Sequence, residues 1–133
     1  MEPGYLLDSN VVIGYLAGRI PASGMKIVSA IVDQMPHISV ISQIEVLRYN
    51  DIPENEAILA SFISNSLIHS LSSSVVRRTI ELCKQSKIKL ADAVIAATAL
   101  TENYILVTRN IDDFKHIPGL DLLNPWDYPE LAQ

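Results

Sequence analysis

Hydrophobic positions fall along the chain in two alternating patterns: short unbroken apolar runs, and longer stretches whose apolar residues recur three and four apart. The first pattern reads as buried strands and the second as helices. Tyr5 to Asp8, His37 to Ile41, Leu67 to Leu71, Tyr104 to Thr108 and Leu120 to Leu123 are the expected strands. Helices are expected over Asn10 to Ala17, closed by Gly18, over Lys26 to Met35, stopped by Pro36, and over Ser42 to Tyr49. Another starts at Pro53, with Glu54 and Glu56 in its first turn and a stripe of Ile58, Leu59, Phe62 and Ile63. Two more follow: Val75 to about Ser86, behind a Ser72-Ser73-Ser74 cap, and Leu90 to about Asn103. Pro21 with Ser23-Gly24 marks a turn, and the tail from Asn124 to Pro129 is too rich in proline for a regular element. Short strands alternating with helices predict an α/β domain whose central sheet is mostly parallel and covered by helices.

Composition narrows this picture. A chain of 133 residues is expected to form one domain, 1–133, and its 49% hydrophobic and 19% charged residues suit a packed core, not a disordered chain. The single cysteine, Cys83, has no partner within the chain; in its helical stretch it reads as a small buried apolar residue suited to a reducing compartment. No basic segment precedes the first apolar run, and no run reaches the roughly 20 apolar residues of a membrane span, so a cytoplasmic protein with no membrane partner is expected. A net charge of −5 argues against a nonspecific nucleic-acid coat, although acids gathered around a cation would inflate that count.

Three acids draw attention by their surroundings. Asp8 stands at the exit of the first strand, Glu45 follows the second, and Asp92 opens the stretch Asp92-Ala93-Val94-Ile95-Ala96-Ala97. Taken singly, each has a structural role available: Asp8 as a helix cap, Ser42-Gln43-Ile44-Glu45 as a capping box, and Asp92 as a favourable charge in a first helical turn. In a parallel sheet, however, the carboxyl ends of strands and the amino ends of helices share one edge, so residues that resemble caps can converge there. Hard divalent cations take oxygen ligands, and a cation would relieve the repulsion among clustered carboxylates. The three carboxylates are therefore expected within a few ångströms of one another at the end of strand one, with capping and metal roles both available. After strand four, Asn110 reads as an oxygen ligand or a turn former, and Asp112 and Asp113 as ligands or caps.

Other chemistries find little support. His37, His69 and His116 share no metal-ligand spacing, and there is neither a phosphate-cradling glycine loop nor a Gly-x-Ser-x-Gly elbow. A phosphatase or receiver-like site would want a second acid two residues after Asp8, where Asn10 stands.

The ordered set Tyr5-Leu6-Leu7-Asp8-Ser9-Asn10, Ser39-Val40-Ile41-Ser42-Gln43-Ile44-Glu45-Val46-Leu47, Leu90-Ala91-Asp92-Ala93-Val94-Ile95-Ala96-Ala97-Thr98-Ala99 and Leu106-Val107-Thr108-Arg109-Asn110 resembles the PIN-domain ribonucleases, especially VapC-like toxins of toxin–antitoxin pairs. Asn124-Pro125-Trp126 resembles the tail of FitB-type members. The resemblance implies a three-layer PIN-like fold and a magnesium- or manganese-dependent endoribonuclease with Asp8, Glu45 and Asp92 as metal ligands. It also implies a homodimer and a cognate antitoxin. Many members carry a fourth acid where this chain has Asn110, which leaves open one metal or two, and whether Asp113 substitutes. Lys84, Lys87, Lys89 and Arg109 are candidates for holding an RNA backbone, with plain solvated charge as the alternative. The rival reading is a PIN-fold binding module that docks a protein partner and catalyses weakly. For the dimer, the surplus apolar surface is expected on the Ile58, Leu59, Phe62, Ile63 stripe and on Lys26 to Met35.

Overall fold

Five short strands pair side by side, all parallel, in the computed structural model, which describes residues 4–129. In chain order the elements are β1 (Gly4–Leu7), α1 (Ser9–Leu16), α2 (Ala22–Asp33), β2 (His37–Ser39), α3 (Val40–Leu47), α4 (Pro53–Ser64) and β3 (Leu67–His69). There follow α5 (Ser73–Gln85), α6 (Leu90–Glu102), β4 (Tyr104–Val107), α7 (Ile111–Phe114), β5 (Leu122–Leu123) and a 3-10 turn at Pro125–Asp127. The strand order is β3-β2-β1-β4-β5, so β1 is the central strand, between β2 and β4, and it pairs with β4 Leu6 to Leu106 and Leu7 to Val107. This is the predicted α/β architecture.

Alternate residues of a strand face opposite sides, which divides the core in two. Leu6 and Leu106 pack with Val75 and Leu82 of α5, the run Ala93 to Ala97 of α6, and Phe114 of α7. Leu7, Val107 and Ile38 pack with Val11 and Val12 of α1, Val28 and Ile31 of α2, Val46 of α3, and Leu59 and Ile63 of α4. Both faces of the sheet are thereby dry, which is why the strands read as unbroken apolar runs.

Several boundaries differ from the sequence reading, each for a local reason. Strand two stops at Ser39, whose hydroxyl accepts from the Ser42 backbone N–H and caps α3, so the helix begins at Val40 and the capping box expected at Ser42 does not form. Glu45 consequently lies in the middle of α3, not directly after a strand. Helix α2 ends at Asp33, leaving Met35 exposed with φ 81° outside the expected stripe. Strand three ends at His69 and strand five begins at Leu122, both shorter than expected. Cys83 is exposed on α5, against the expectation of a buried thiol. Of the apolar surface assigned to a dimer contact, Val28, Ile31, Leu59 and Ile63 lie in the core while Met35 and Ile58 stay exposed; further exposed apolar side chains stand at Ile44 and Leu47 of α3 and Val76 and Ile80 of α5. No helix among the described residues is long and apolar enough to cross a membrane.

Ser23 and Gly24, expected in a turn, lie inside α2. The reason comes from the far end of the chain. The tail crosses back over α1 and α2 as a strap, with Pro125 buried, the Ser23 hydroxyl donating to the Tyr128 carbonyl at 2.9 Å, and the Pro125 carbonyl seated on Gly24 where a Cβ would overlap it. A backbone cannot yield as a flexible side chain can, so Gly24→Ala is expected to destabilise the protein by about 1–3 kcal/mol despite alanine's better helix propensity. Urea melts of the two proteins check this; a variant as stable as the parent would show that the strap is not seated there.

Candidate active site

Strand β1 delivers Asp8 to the carboxyl edge of the sheet, where the backbone passes directly into α1. Asp8 is the N-cap of that helix, as the capping reading had it, and its Oδ1 accepts from the Ser9 backbone N–H at 2.8 Å. Only 4% of its surface is exposed. Its other oxygen, Oδ2, accepts from Thr108 Oγ1 at 2.8 Å, across from the end of β4, and from Asn10 Nδ2 at 3.3 Å. Burial pushes the Asp8 carboxyl up to about 6 from the ordinary 3.8; the bonds from Thr108 and Ser9 oppose this, and the charges of Glu45 and Asp92 add to it.

Glu45 reaches the same edge from one side because α3 packs against α1, and its Oε1 accepts from Ser9 Oγ at 3.0 Å. Asp92, in the first turn of α6, comes from the other face. Its pKa is raised by burial first and then by the charge of Asp113, with a smaller push from Glu45, while Lys89 pulls the other way. Asp113 is exposed on α7, yet its charge is felt at Asp92, so it belongs to the group. Asn110 is exposed at the start of α7; its backbone N–H donates to Thr108 Oγ1 at 3.1 Å, and its side chain makes no capping bond. Asp112 is engaged elsewhere, 2.9 Å from Lys115.

The acids are thus neighbours electrostatically, but they are not drawn into ligand contact as the sequence suggested. Among the described residues no three His, Cys, Asp or Glu side chains are arranged to hold an ion as they stand. Like charges resist closer approach, and both oxygens of Asp8 and one of Glu45 are occupied by hydroxyl and amide donors instead. The set nevertheless fits a hard cation: every available ligand atom is an oxygen, and charge on Asp8 is disfavoured by burial and by its acidic neighbours.

Sequence reasoning did not assign three residues that hold this site together. Ser9 fixes Glu45, Thr108 fixes Asp8, and Asn10 joins Asp8 to the Arg109 backbone N–H, which donates to Asn10 Oδ1 at 3.2 Å. Ser9 and Asn10 directly follow Asp8, a signal available in the sequence. For Thr108 the only signal was its place at a strand end, because its partner lies 100 positions away.

Comparison with known proteins bears on the same edge. Ribonuclease VapC1 of Rickettsia felis is 56% identical over 32 residues, a match spanning 24% of this chain and 24% of that protein. A toxin–antitoxin complex from Klebsiella pneumoniae contains a chain 30% identical to this one, with TM-score 0.73, covering 94% of this chain and 100% of that one. VapBC2 from Rickettsia felis, solved bound to a promoter DNA fragment, contains a chain 28% identical with TM-score 0.73, covering 90% of this chain and 97% of its own. The PIN domain model matches residues 5–120, a span that takes in β1 through α7 and all the acids described above, and the chain belongs to the PIN domain family.

Proposed function

We propose that the chain is a metal-dependent endoribonuclease, the toxin of a toxin–antitoxin pair, acting in the cytoplasm. The observation that carries this reading is Asp8, a carboxylate buried at a strand exit with the charges of Glu45 and Asp92 directed at it. Capping α1 accounts for Asp8 alone and not for the acids gathered around it, whereas a cation site uses them together. The names of the relatives, a ribonuclease and chains of toxin–antitoxin complexes, support the substrate class and the partner.

Asp8, Glu45 and Asp92 would hold magnesium or manganese, with Asp113 and Asn110 at the rim of the site. Bound there, the ion would supply the means to activate a water and to stabilise charge on the phosphorus during hydrolysis. The chain's own contribution is orientation. Ser9 Oγ holds Glu45, and Thr108 Oγ1, Asn10 Nδ2 and the Ser9 N–H hold both Asp8 oxygens, so the carboxylates are fixed before substrate arrives. Lys89, which acts on Asp92 through its charge, is the lysine best placed to meet a phosphate entering from α6.

Cleavage of single-stranded RNA should require magnesium or manganese and stop in EDTA. Asp8→Asn should lower kcat by about a hundredfold or more while leaving the circular dichroism spectrum unchanged, since the amide is nearly isosteric but lacks the ligand's charge. Equal cleavage by the two proteins after nuclease-free purification would overturn the assignment of Asp8, and a wild type that cleaves no RNA would leave the docking-module reading standing.

For assembly, the exposed Ile44, Leu47, Val76 and Ile80 support a homodimer, and the acidic rim supports an antitoxin with a basic side chain. Light scattering should give twice the 14.7 kDa chain mass. Co-expression with a neighbouring gene product should yield a complex that no longer cleaves RNA. A monomer at tens of micromolar would remove the first expectation, and a free, active nuclease in the co-expression would remove the second.

A further inference from the structure

One cation whose backbone adjoins the acids is stacked on an indole and not paired with them. Arg109 follows Thr108, the residue bonded to Asp8, so its backbone stands at the edge of an acidic cluster. An arginine there would ordinarily fold onto the carboxylates, which would satisfy both charges and obstruct any bound cation. Instead its guanidinium carbon lies over the indole of Trp126, 4.8 Å from the ring centroid. The ion pairs among the described residues are His69 with Glu102 and Lys115 with Asp112, and neither involves Arg109.

Both ends of this arginine are fixed. Its backbone N–H donates to Asn10 Oδ1 at 3.2 Å, and Asn10 in turn donates to Asp8, so the main chain is registered on the acid cluster. Its head rests on an indole that is itself seated. The Trp126 backbone N–H donates to Asn124 Oδ1 at 2.9 Å, and its ring edge occupies a notch over Gly14, where a Cβ would come within 2.7 Å of Cη2 and Cζ2. Gly14 is one helical turn beyond Asn10 on α1, so the arginine spans that turn from the acid cluster to the indole. Contact with a ring face uses none of the guanidinium N–H groups, which leaves the planar fork open to a phosphate.

We propose that Arg109 is a phosphate-binding residue for the RNA backbone and that Trp126, on the tail strap, is the positioning residue that holds it beside the acids and apart from them. This rests on the nuclease reading and goes beyond it by making the strap part of the substrate surface. Trp126 and Asn124, which have no part in the acid cluster, then have a functional reason to stand where they do.

Steady-state cleavage of a labelled single-stranded RNA of mixed sequence, with manganese present and potassium chloride varied, tests the proposal on the full chain. Arg109→Gln should raise KM about tenfold with kcat nearly unchanged, the loss of one charged contact. It should also make the dependence of log KM on log salt shallower by about 0.7, one phosphate contact on a single strand. Arg109→Lys should keep the salt slope and recover part of the KM. Trp126→Leu and Gly14→Ala should each raise KM with the arginine intact, and Trp126→Phe should restore most of it; thermal melts confirm that each variant is folded. Should Trp126→Leu fail to fold, Gly14→Ala and Trp126→Phe decide the positioning role. Unchanged KM and salt slope in Arg109→Gln would overturn the proposal, and a normal KM in Gly14→Ala and Trp126→Leu would remove Trp126 from it. Failure of the nuclease reading would look different, because the wild-type protein itself would then cleave no RNA.

Discussion

The rest of the structure depends on a carboxylate placed where charge is unwelcome. Asp8 is almost fully buried, and the acids nearest to it push its proton affinity higher still. Folding therefore holds together groups that repel, and the apolar packing on both faces of the sheet must exceed that opposition. Leu6 and Leu7, immediately before Asp8, are among the most buried residues of the protein and belong to opposite cores. The strand that carries the least comfortable residue is thus the strand most firmly held.

Topology converts this local strain into a site. With all strands parallel, β1 and β4 end side by side, which brings Thr108 within 2.8 Å of Asp8. Helices α3 and α6 then approach the same edge from opposite faces with Glu45 and Asp92. The strap on α1 and α2 contributes Trp126 beyond the end of β5, and with it the indole on which the Arg109 guanidinium rests. Sheet order, strap and helix starts therefore act on one small volume.

How much of this was legible in the sequence follows from the range of each interaction. Strands and most helices were readable because both patterns are local, and Asp8 and Asp92 stood out because a strand exit and a first helical turn are local features too. Glu45 reads as part of a capping box at Ser42, but Ser39 caps α3 first, and the bond Glu45 makes is with Ser9, 36 positions away. Gly24 read as a turn because the carbonyl that requires it lies a hundred residues further on. Cys83 read as buried because the periodicity of α5 does not reveal which neighbouring positions face solvent, and the α4 stripe read as surplus because sheet coverage cannot be measured before the sheet is built. Asn110 and Asp113 read as alternatives because both follow the same strand end, and the structure leaves both exposed there, with the charge of Asp113 acting on Asp92.

The central claim is that the acid cluster opposes folding until a cation occupies it, and pH isolates the contribution of Asp8. Its folded-state pKa lies above the unfolded value, so the stability it contributes is fully present below about 3.8 and is lost as pH rises through about 6. That displacement corresponds to about 3 kcal/mol. Histidines 37 and 69, whose pKa values are lowered by burial, titrate alike in the wild type and in Asp8→Asn and cancel in the comparison. The decisive measurement is the difference in urea stability between Asp8→Asn and wild type, in EDTA, from pH 4 to pH 7. The account predicts that the difference moves in favour of the variant by about 2 kcal/mol over that interval, the part of the displacement that falls between pH 4 and pH 7, and that magnesium at pH 7 restores the wild type alone. A difference that stays flat with pH, or a magnesium response shared by both proteins, would contradict it.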